Sequence, residues 1–551
     1  MKRNLIITSA LPYANGEIHL GHIASTYLPA DIFTRYWKHL ERKAYHLCAT
    51  DDFGTPILIN AEKESITPQE YVKAWRDNDL KDFRSLNIYF DYFSQTSSEE
   101  NIHLTQEIFN KLCKNGHIYE QDVVQFYCEY DKKFLPDRYI VGKCPFCLAE
   151  NQYSDLCEKC GRVPDRILEP SCRICGKVPI KKTSTHYFFR LSAFSEKLKD
   201  WLNTNRNLQS DVASYVLKWI NEGLVDWDIT RDLSWGVPIP RKEARGQVFY
   251  GWFDNHICYI SSFLSLVKGS GNDNEKGKVL WNNSEIYHFI GKDIVYHHYL
   301  FLPAIRMGIG YEYKLPDYIP TRGHLMLNNR KISKSRGWYI GLRDFLRLFP
   351  PDYVRFYLAR VTPYSQTDIN FDWDSFIERI NNELIANVGN FIHRTLSFIN
   401  ATFEGSVPKP SIFEDVDSAI VKRISDIPES VGNAISKNET EKALKEILDF
   451  STSLNRYFQK KKPWEERLTA KNTLYISANA VHSLAILLDP FIPDSAEKIW
   501  DQLGLGGNVH TQDWNGASQM NVKANHKIGK IHPLFKKIEK SKLDLDKWKV
   551  D

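Results

Sequence analysis

The sequence of 551 residues lacks any apolar stretch that approaches the length of a membrane span. Lys2 and Arg3 before a short apolar run imitate a secretion signal. However, Pro12, Asn15 and Gly16 reduce that run to the length of a strand, and no convincing cleavage site follows. We therefore expect a cytoplasmic protein without a membrane segment.

A strong charge of one sign is also missing, because 72 basic side chains face 68 acidic ones and leave a formal charge of +4. Bulk charge therefore does not favour binding to nucleic acid, and any such binding must come from local patches. Internal repeats and low-complexity segments are absent as well. The apolar content of 42% is typical of a globular protein, and the length predicts two to four domains.

The ten cysteines are unevenly placed, since seven of them lie between Cys128 and Cys175. Such clustering predicts metal ligands rather than disulfides. Two Cys-x₂-Cys knuckles separated by nine residues can wrap one tetrahedral Zn²⁺ with four thiolates and no open position, so this zinc is predicted to be structural. The four predicted ligands are Cys144, Cys147, Cys157 and Cys160.

A further knuckle, Cys172 and Cys175, has no obvious partner. Cys128 stands alone, with Asp131 where a second cysteine would complete a pair. The spacing leaves two interpretations open. Either Cys128, Cys172, Cys175 and an unidentified fourth ligand hold a second zinc, or this half-site is vacant.

Apolar periodicity predicts an α/β protein. Residues 5–7 read as a buried strand, a helical pattern begins at Leu20, and residues 44–49 read as a second parallel strand that ends before Asp51 and Asp52. Carboxylates after a strand are expected in the ligand crevice of a doubly wound sheet, although turn chemistry explains them equally well. Residues 249–254, rich in aromatics, and 286–293 are predicted to be further strands.

From about residue 376 the pattern becomes wholly helical and predicts a bundle. The fold class is therefore a doubly wound parallel-sheet (Rossmann-like) catalytic domain with a zinc-knuckle insertion, followed by an all-α bundle. The predicted units are the first catalytic half (1–117), the zinc-knuckle insertion (118–232), the second catalytic half (233–320), a linker domain (321–375), the helical domain (376–524) and a tail packing back on the body (525–551).

Two short stretches carry the chemistry. His19-Leu20-Gly21-His22 opens the first helix, and Lys331-Ile332-Ser333-Lys334-Ser335 follows about 310 residues later. Histidines at a helix N-terminus together with a lysine loop would neutralise a triphosphate as negative charge shifts during phosphoryl chemistry. Each stretch alone is weak, but the ordered pair resembles the two signatures of class I aminoacyl-tRNA synthetases.

The chain resembles the methionyl-tRNA synthetase family over nearly its full length. The matching segments are residues 10–16, 19–22, 134–138, 288–296, 331–335 and the zinc knuckles. The resemblance implies activation of L-methionine with ATP and Mg²⁺ to methionyl-adenylate and pyrophosphate, followed by transfer to the 3′ end of tRNA(Met).

The resemblance also implies roles for individual residues. Those implied to stabilise the transition state or grip the pyrophosphate are His19, His22, Lys331 and Lys334. Those implied to bind ATP are Tyr13, Asn15, Gly16, His22, Gly291, Asp293 and Lys334. Those implied to bind the amino acid, with Asp51 at its ammonium group, are Leu11, Tyr13, Asp51, Trp252, Asn255, His256, Tyr259, Ile294, His297 and His298. Those implied to read the anticodon are Asn390, Arg394 and Trp464.

Four positions around the amino-acid pocket depart from the family. Asn255-His256 replaces the usual Ala-Pro, His297 replaces a phenylalanine, and Phe53 replaces a histidine. Either the new polar groups hydrogen-bond to one another and reshape the wall, or the pocket accepts a more polar amino acid than methionine.

The sequence is therefore compatible with three functions. The first is an active methionine–tRNA ligase. The second is a paralogue that activates a more polar amino acid, and the third is an inactive tRNA-binding protein. Complete histidine and lysine signatures oppose the third. The resembled family has an optional C-terminal extension that binds tRNA and forms dimers. This chain ends soon after the helical domain without it, so we expect a monomer.

Overall fold

The structure is a computed structural model. It describes residues 3–154, 157, 159–160, 162, 166–271, 273–327, 329–332, 339–465 and 467–543, with the backbone alone at Asp137, Lys331 and residues 467–469. Lys334 of the second signature lies outside the described residues, as does the side chain of Lys331.

Five parallel strands form the central sheet, with the first strand of the chain in the middle. Across the sheet the order is Thr321–Arg322, Glu285–Gly291, Leu5–Ser9, Ala44–Thr50 and Tyr92–Gln95. Leu5, Ile6 and Ile7 are fully buried, as expected for a strand covered on both faces. The chain winds first to one side of Leu5–Ser9 and then to the other, so a ligand crevice is expected at the carboxyl ends of the central strands. The predicted doubly wound sheet is confirmed.

The helices around this sheet frame the crevice. Two of them contain π-helical turns, at Ile23–Tyr27 and His297–Phe301, a feature frequent at functional sites. The helical segments are Leu20–His22, Leu28–His39, Thr55–Glu64, Pro68–Ser85, Glu99–Lys114, Gly251–Gly269, Asn274–Asn283 and Leu302–Gly308.

The strand predicted over residues 249–254 is wrong. Only Val248–Phe249 is extended, and a helix begins at Gly251 and continues to Gly269. Phe253, Ile257 and Ile260 are buried at helical spacing, so the longer helical period outweighs the strand preference of the aromatic side chains. The helix consequently aims Trp252, Asn255 and Tyr259 into the crevice.

The insertion is built on the antiparallel strands Ile118–Cys128 and Ile180–Phe189. A small sheet beside them carries the cysteine knuckles. Its strands are Ile140–Lys143, Gln152–Tyr153 and Leu168–Cys172, and the remaining elements of the insertion are Lys133–Phe134, Ser195–Thr204, Ser210–Glu222, Trp227–Asp228 and Thr230–Arg231.

After the sheet, three short strands lead into helices, and Lys331, the first residue of the second signature, ends one of these strands. The helical part predicted from about residue 376 is confirmed. The strands are Leu325–Leu327, Arg330–Lys331 and Ile369–Phe371. The helices are Leu342–Leu348, Pro351–Val361, Trp373–Arg379, the π-helical Ile380–Gly389, Asn390–Phe403, Asp415–Ser436, Thr440–Lys461, Arg467–Leu488 and Pro493–Gln502.

Buried arginines connect the helical part to the central sheet. Arg355 donates to Asp31 at 2.7 Å and, through Nε, to the carbonyl of Phe491 at 2.9 Å. Arg322 donates to the carbonyl of Asn438 at 2.6 Å. One apolar core runs through both parts, so the bundle is held in a defined position relative to the sheet.

The described part of the tail lies against the body of the protein. The Tyr353 hydroxyl donates to the carbonyl of Lys536 at 2.8 Å, and the Asn381 amide donates to the carbonyl of Ile538 at 2.9 Å. Among the helices described, none combines the length and the apolar character needed to cross a bilayer. The domain boundaries given above stay predictions.

Candidate active site

The loop after the first strand is fastened to the end of the second strand. The Ala14 N–H donates to the carbonyl of Asp51 at 2.9 Å, and the Asp51 N–H donates to the carbonyl of Pro12 at 2.8 Å. Tyr13 and Asp51 form an isolated parallel bridge. The first signature and the carboxylate after the second strand therefore meet at the carboxyl edge of the sheet, as the doubly wound fold requires.

A cavity of about 470 Å³ opens at this edge. It brings together eleven of the residues predicted from the sequence. They are Leu11, Tyr13, His22, Asp51, Trp252, Asn255, Tyr259, Gly291, Asp293, Ile294 and His298. Other predicted residues do not line it, namely His19, Asn15, Gly16, His256 and His297.

His19 and His22 cap the first helix reciprocally. The His22 N–H donates to Nδ1 of His19 at 3.4 Å, and the His19 N–H donates to Nδ1 of His22 at 3.3 Å. The two rings stack with centroids 3.6 Å apart. A ring nitrogen that accepts a hydrogen bond carries no proton, so each neutral imidazole carries its proton on Nε2. His22 thereby presents an N–H donor in the cavity, which suits a phosphate oxygen.

The second signature is flanked by segments that lie against the first. The Leu342 N–H donates to the carbonyl of Ile18 at 3.1 Å, and the Arg343 N–H donates to Oε1 of Glu17 at 3.0 Å. A Cβ atom on Gly21 would lie 3.2 Å from Cδ1 of Ile332, so this glycine permits close contact between the two signatures. Residues in and next to the two signatures are thus in contact, whereas the position of Lys334 stays a prediction.

Asp51 is a buried carboxylate beside two others. Burial and the charge of Asp52 raise the pKa of Asp51 to about 7, while the neighbouring Asn255 amide opposes the rise. Burial likewise raises the pKa of Asp52 to about 6 and that of Asp254 well above its usual range. In the described part of the chain, Oδ1 of Asp51 has no hydrogen-bond partner. A site of this kind is suited to a ligand's ammonium group, which would supply the missing positive charge.

The opposite wall is formed after the strand Glu285–Gly291. A Cβ atom on Gly291 would lie 2.7 Å from Oδ1 of Asp293, so the glycine allows this carboxylate to fold back over the strand end. Nε2 of His324 lies 3.4 Å from the same oxygen. A carboxylate at a strand's carboxyl end is a typical partner of ribose hydroxyls in doubly wound folds.

The signature loop has its own support. Oδ1 of Asn15 accepts from the Tyr71 hydroxyl at 2.9 Å and from the Asn60 amide at 2.5 Å. Gly16 has φ of 148°, which favours glycine. These contacts fix the loop and leave Asn15 beside the cavity rather than in its wall.

Sequence reasoning assigned no role to Arg138, Arg231 and Trp235, which also line the cavity. The Arg231 guanidinium lies 4.0 Å from the centre of the Tyr250 ring, and the Trp235 indole donates to the carbonyl of Asp52 at 2.7 Å. The sequence did contain a hint of their importance, because Arg138 ends a segment that matches the family and the other two residues lie where the α/β alternation resumes. Their side-chain directions depend on the insertion, which periodicity does not predict.

The amino-acid end of the cavity is aromatic and polar at once. Nδ1 of His298 donates to the carbonyl of Ile294 at 3.0 Å, which leaves Nε2 to accept from the Tyr259 hydroxyl at 2.9 Å. His297 stacks flat on Trp252, with ring centroids 3.7 Å apart. His256 is buried, and within the described residues neither of its nitrogens has a hydrogen-bond partner. Mutual hydrogen bonding among the new polar groups, one of the two interpretations above, is therefore wrong for His256.

Comparison with known proteins decides the family. A model described as tRNA synthetases class I (M) matches residues 5–396, and one described as the anticodon-binding domain of tRNA ligase matches residues 417–546. The chain is 42% identical to the methionine–tRNA ligase of Methanopyrus kandleri, over 99% of this chain and 81% of that one. It is 41% identical to the Methanobrevibacter smithii enzyme, over 97% and 80%. The chain belongs to the methionyl-tRNA synthetase family.

A solved methionyl-tRNA synthetase shows the same fold. The Mycobacterium tuberculosis protein, crystallised with bound methionyl-adenylate, superposes with a TM-score of 0.80 at 24% identity. The match covers 97% of this chain and all of that one. The family and the Rossmann-like fold with its helical extension, both inferred from the sequence, are confirmed.

The insertion of the present chain carries a four-cysteine cluster. All four Sγ atoms of Cys144, Cys147, Cys157 and Cys160 lie within 4.8 Å of one another, with pairs at 3.6 and 3.8 Å. Thiolates 2.3 Å from one zinc ion at tetrahedral corners lie about 3.8 Å apart. The cluster therefore fits a structural zinc.

A second cluster contains the ligand that the sequence left unidentified. Oδ2 of Asp131 lies 3.0 Å from Sγ of Cys128 and 3.1 Å from Sγ of Cys172, and Cys175 lies 3.5 Å from Cys128. Three thiolates and one carboxylate are an acceptable zinc set. Asp131 thus stands where the fourth ligand was missing.

Two of the three predicted anticodon residues, Arg394 and Trp464, lie close together in the helical part. Asn390 and Arg394 project one turn apart from the helix Asn390–Phe403, and the Arg394 guanidinium lies 5.5 Å from the Trp464 ring. Trp464 is 41% exposed, which leaves room for a base.

Three consecutive lysines, residues 460–462, precede Pro463 and Trp464, and two of them are paired with carboxylates. Lys461 pairs with Glu414 at 3.0 Å and Asp417 at 3.2 Å, and Lys462 pairs with Glu465 at 2.9 Å. Two of the three lysines are thus engaged within the bundle, so stacking and hydrogen bonding carry more of any RNA recognition here.

Proposed function

We propose that this chain activates methionine with ATP and then charges tRNA(Met). The methionine carboxylate attacks the α-phosphate, the bond to the β-phosphate breaks, and pyrophosphate leaves methionyl-adenylate. A ribose hydroxyl at the tRNA 3′ end then takes the acyl group and AMP departs. The observation that carries the proposal is one cavity holding both the His22 donor and the buried Asp51 carboxylate.

The residues divide the work by position. Asp51 would pair with the substrate ammonium, while Trp252, Tyr259 and His298 would enclose its side chain. Nε2–H of His22 would donate to a phosphate oxygen as charge develops. Because the nucleophile is already a carboxylate, the protein contributes mainly orientation and charge stabilisation. We propose that Lys331 and Lys334 add positive charge at the pyrophosphate, and that Mg²⁺ accompanies ATP.

The test is ATP–pyrophosphate exchange with each of the twenty amino acids, followed by charging of tRNA(Met). Exchange with methionine and formation of methionyl-tRNA are expected. Exchange with another amino acid alone would identify the paralogue with a more polar substrate, for which the buried His256 is the supporting observation. No exchange with any amino acid would leave a tRNA-binding protein. Monomeric state and cytoplasmic location stay predictions.

We propose two zinc ions, one on the four cysteines and one on the cluster with Asp131. Mass spectrometry of metal content should give two zinc ions per chain. Cys147→Ser should remove about one, and Asp131→Ala should remove the other. Cys113→Ser, outside both clusters, should keep both ions. Chelation should unfold the insertion and leave the sheet intact, because structural zinc binding is coupled to folding. A content of one ion, unchanged by Asp131→Ala, would show that the second cluster is vacant.

We propose that Trp464 stacks on an anticodon base while Asn390 and Arg394 donate to base edges. Trp464→Ala should lower kcat/KM for charging by about 10–100-fold, since base stacking is worth about 1–3 kcal/mol. Methionine-dependent exchange should stay unchanged because that reaction needs no tRNA. Phe413→Ala, also in the helical part, is the control for stability. Equal loss of exchange and charging in Trp464→Ala would contradict the role.

A further inference from the structure

His256 is an unusual residue for the interior of a protein. It is 2% exposed, and within the described residues neither Nδ1 nor Nε2 finds a hydrogen-bond partner. Leaving a buried polar group unpaired costs about 1–3 kcal/mol. The helix Gly251–Gly269 places His256 directly after Asn255, which lines the cavity. The unmet hydrogen-bonding capacity therefore lies next to the amino-acid site.

The rings around His256 show where a ligand would reach it. Its centroid lies 5.3 Å from that of His298 and 6.1 Å from that of Trp252, and both of these rings line the cavity. His256 thus lies behind the Trp252 and His298 rings, which form the wall of the cavity. The far end of an amino-acid side chain, having entered between Trp252 and His298, would meet it.

The other histidines of this end do not offer the same capacity. Both nitrogens of His298 are used, one by the carbonyl of Ile294 and one by the Tyr259 hydroxyl. His297 has an unpartnered Nδ1 among the described residues, but its ring is stacked on Trp252. His256 is therefore the histidine best able to make a new polar contact. Asn255 lies beside it, and His297 is the second candidate.

The contact would be with a neutral group. Burial and the neighbouring histidines hold the pKa of His256 well below its usual range, and burial lowers the pKa of His297 to about 3 and that of His298 to about 4. All three rings are neutral at physiological pH, and His256 and His297 can each supply an N–H donor without charge, whereas the N–H of His298 is taken by the carbonyl of Ile294. The neutral rings offer no charge of their own to a carboxylate or ammonium side chain, whereas an uncharged oxygen acceptor would be satisfied by a ring N–H.

Building on the proposed function, we propose that the amino-acid site also accepts a neutral side chain of methionine's length with an acceptor oxygen at the sulfur position. Methionine sulfoxide is the simplest member of this class. Its sulfoxide oxygen accepts from the N–H of His256 and from the Asn255 amide, while the alkyl part and terminal methyl contact Trp252 and Tyr259. The carboxylate reacts with ATP as methionine does, so the products are the corresponding adenylate and pyrophosphate.

The experiment is ATP–pyrophosphate exchange with methionine, methionine-free methionine sulfoxide and norleucine. For the unaltered chain we expect kcat/KM for the sulfoxide to lie within about 100-fold of that for methionine. In His256→Phe the ratio of methionine to sulfoxide should rise by about 5–10-fold, the value of one neutral hydrogen bond. His256→Gln, which keeps an N–H donor, should restore part of the ratio. Asn255→Ala should act in the same direction as His256→Phe.

The matched control is His482→Phe. His482 is another buried histidine, it lies in the helical bundle, and its Nδ1 has no partner in the part of the chain that the structure describes. It should leave the ratio unchanged. A ratio above about 10⁴ in the unaltered chain, or no change of ratio in His256→Phe and Asn255→Ala, overturns the inference. Methionine exchange tells the two proposals apart. If methionine is activated and the ratio does not respond, this inference alone fails, and if methionine is not activated, the proposed function fails first.

Discussion

His22→Asn should reduce kcat for methionine-dependent exchange by about 10²–10³-fold, the usual effect of removing one preorganised donor at a developing charge. Asparagine can still accept from the His19 N–H at the position of Nδ1, so the helix cap survives, but nothing replaces the Nε2–H group. His22→Gln places its amide near the position of Nε2 and should lose only about 10-fold. The comparison isolates the donor from the cap, which no single substitution to alanine would do.

Thermal unfolding provides the second measurement for this pair. Both variants keep an amide oxygen that can accept from the His19 N–H, as glutamine does at this position of a capping box, so both should unfold close to the unaltered protein. The two variants should therefore differ in activity but not in stability. If their activity losses were equal, or followed a difference in unfolding temperature, His22 would act only as a cap.

Much of this site could be predicted from residue patterns. A strand, a turn and a helix start fix where His19 and His22 lie, because the carboxyl edge of a parallel sheet is common to all doubly wound folds. Asp51 was predictable for the same reason. The cysteine spacing predicted the first metal cluster, since a tetrahedral thiolate site needs two closely spaced pairs.

Other features depend on contacts that one-dimensional patterns do not contain. The Nε2–H tautomer of His22 follows from a rotamer and a backbone hydrogen bond with His19. Asp131 joins its cluster because a strand end and a knuckle 41 residues later meet in space. The stretch after Phe249 was misassigned because aromatic residues favour strands, whereas burial of one helical face decided the outcome.

Asp51→Asn should lower kcat/KM for methionine activation by about 10²–10⁴-fold, because removing one partner of a buried ion pair costs about 3–5 kcal/mol. The loss should appear chiefly as weaker methionine binding, measured by the change in tryptophan fluorescence, with ATP binding little affected. The same substitution should raise the unfolding temperature at pH 8. Asp51 has a raised pKa of about 7, so the folded chain without substrate is most favoured where this carboxyl is protonated and loses stability as pH rises toward that value.

The pH dependence of methionine binding separates this account from a general structural defect. If binding needs ionised Asp51, methionine affinity should rise about tenfold between pH 6 and 8 in the unaltered protein, following a group of pKa about 7. Asp52→Asn removes the charge that helps to raise this pKa, so the profile should move to lower pH while its amplitude is kept. Asp51→Asn should flatten it. A profile that Asp52→Asn shifts toward higher pH, or that persists in Asp51→Asn, would assign the ionisation to another group, such as Asp254, whose pKa is also raised by burial. In the proposed function, Asp51 is a carboxylate kept in an unfavourable environment until the substrate's ammonium arrives.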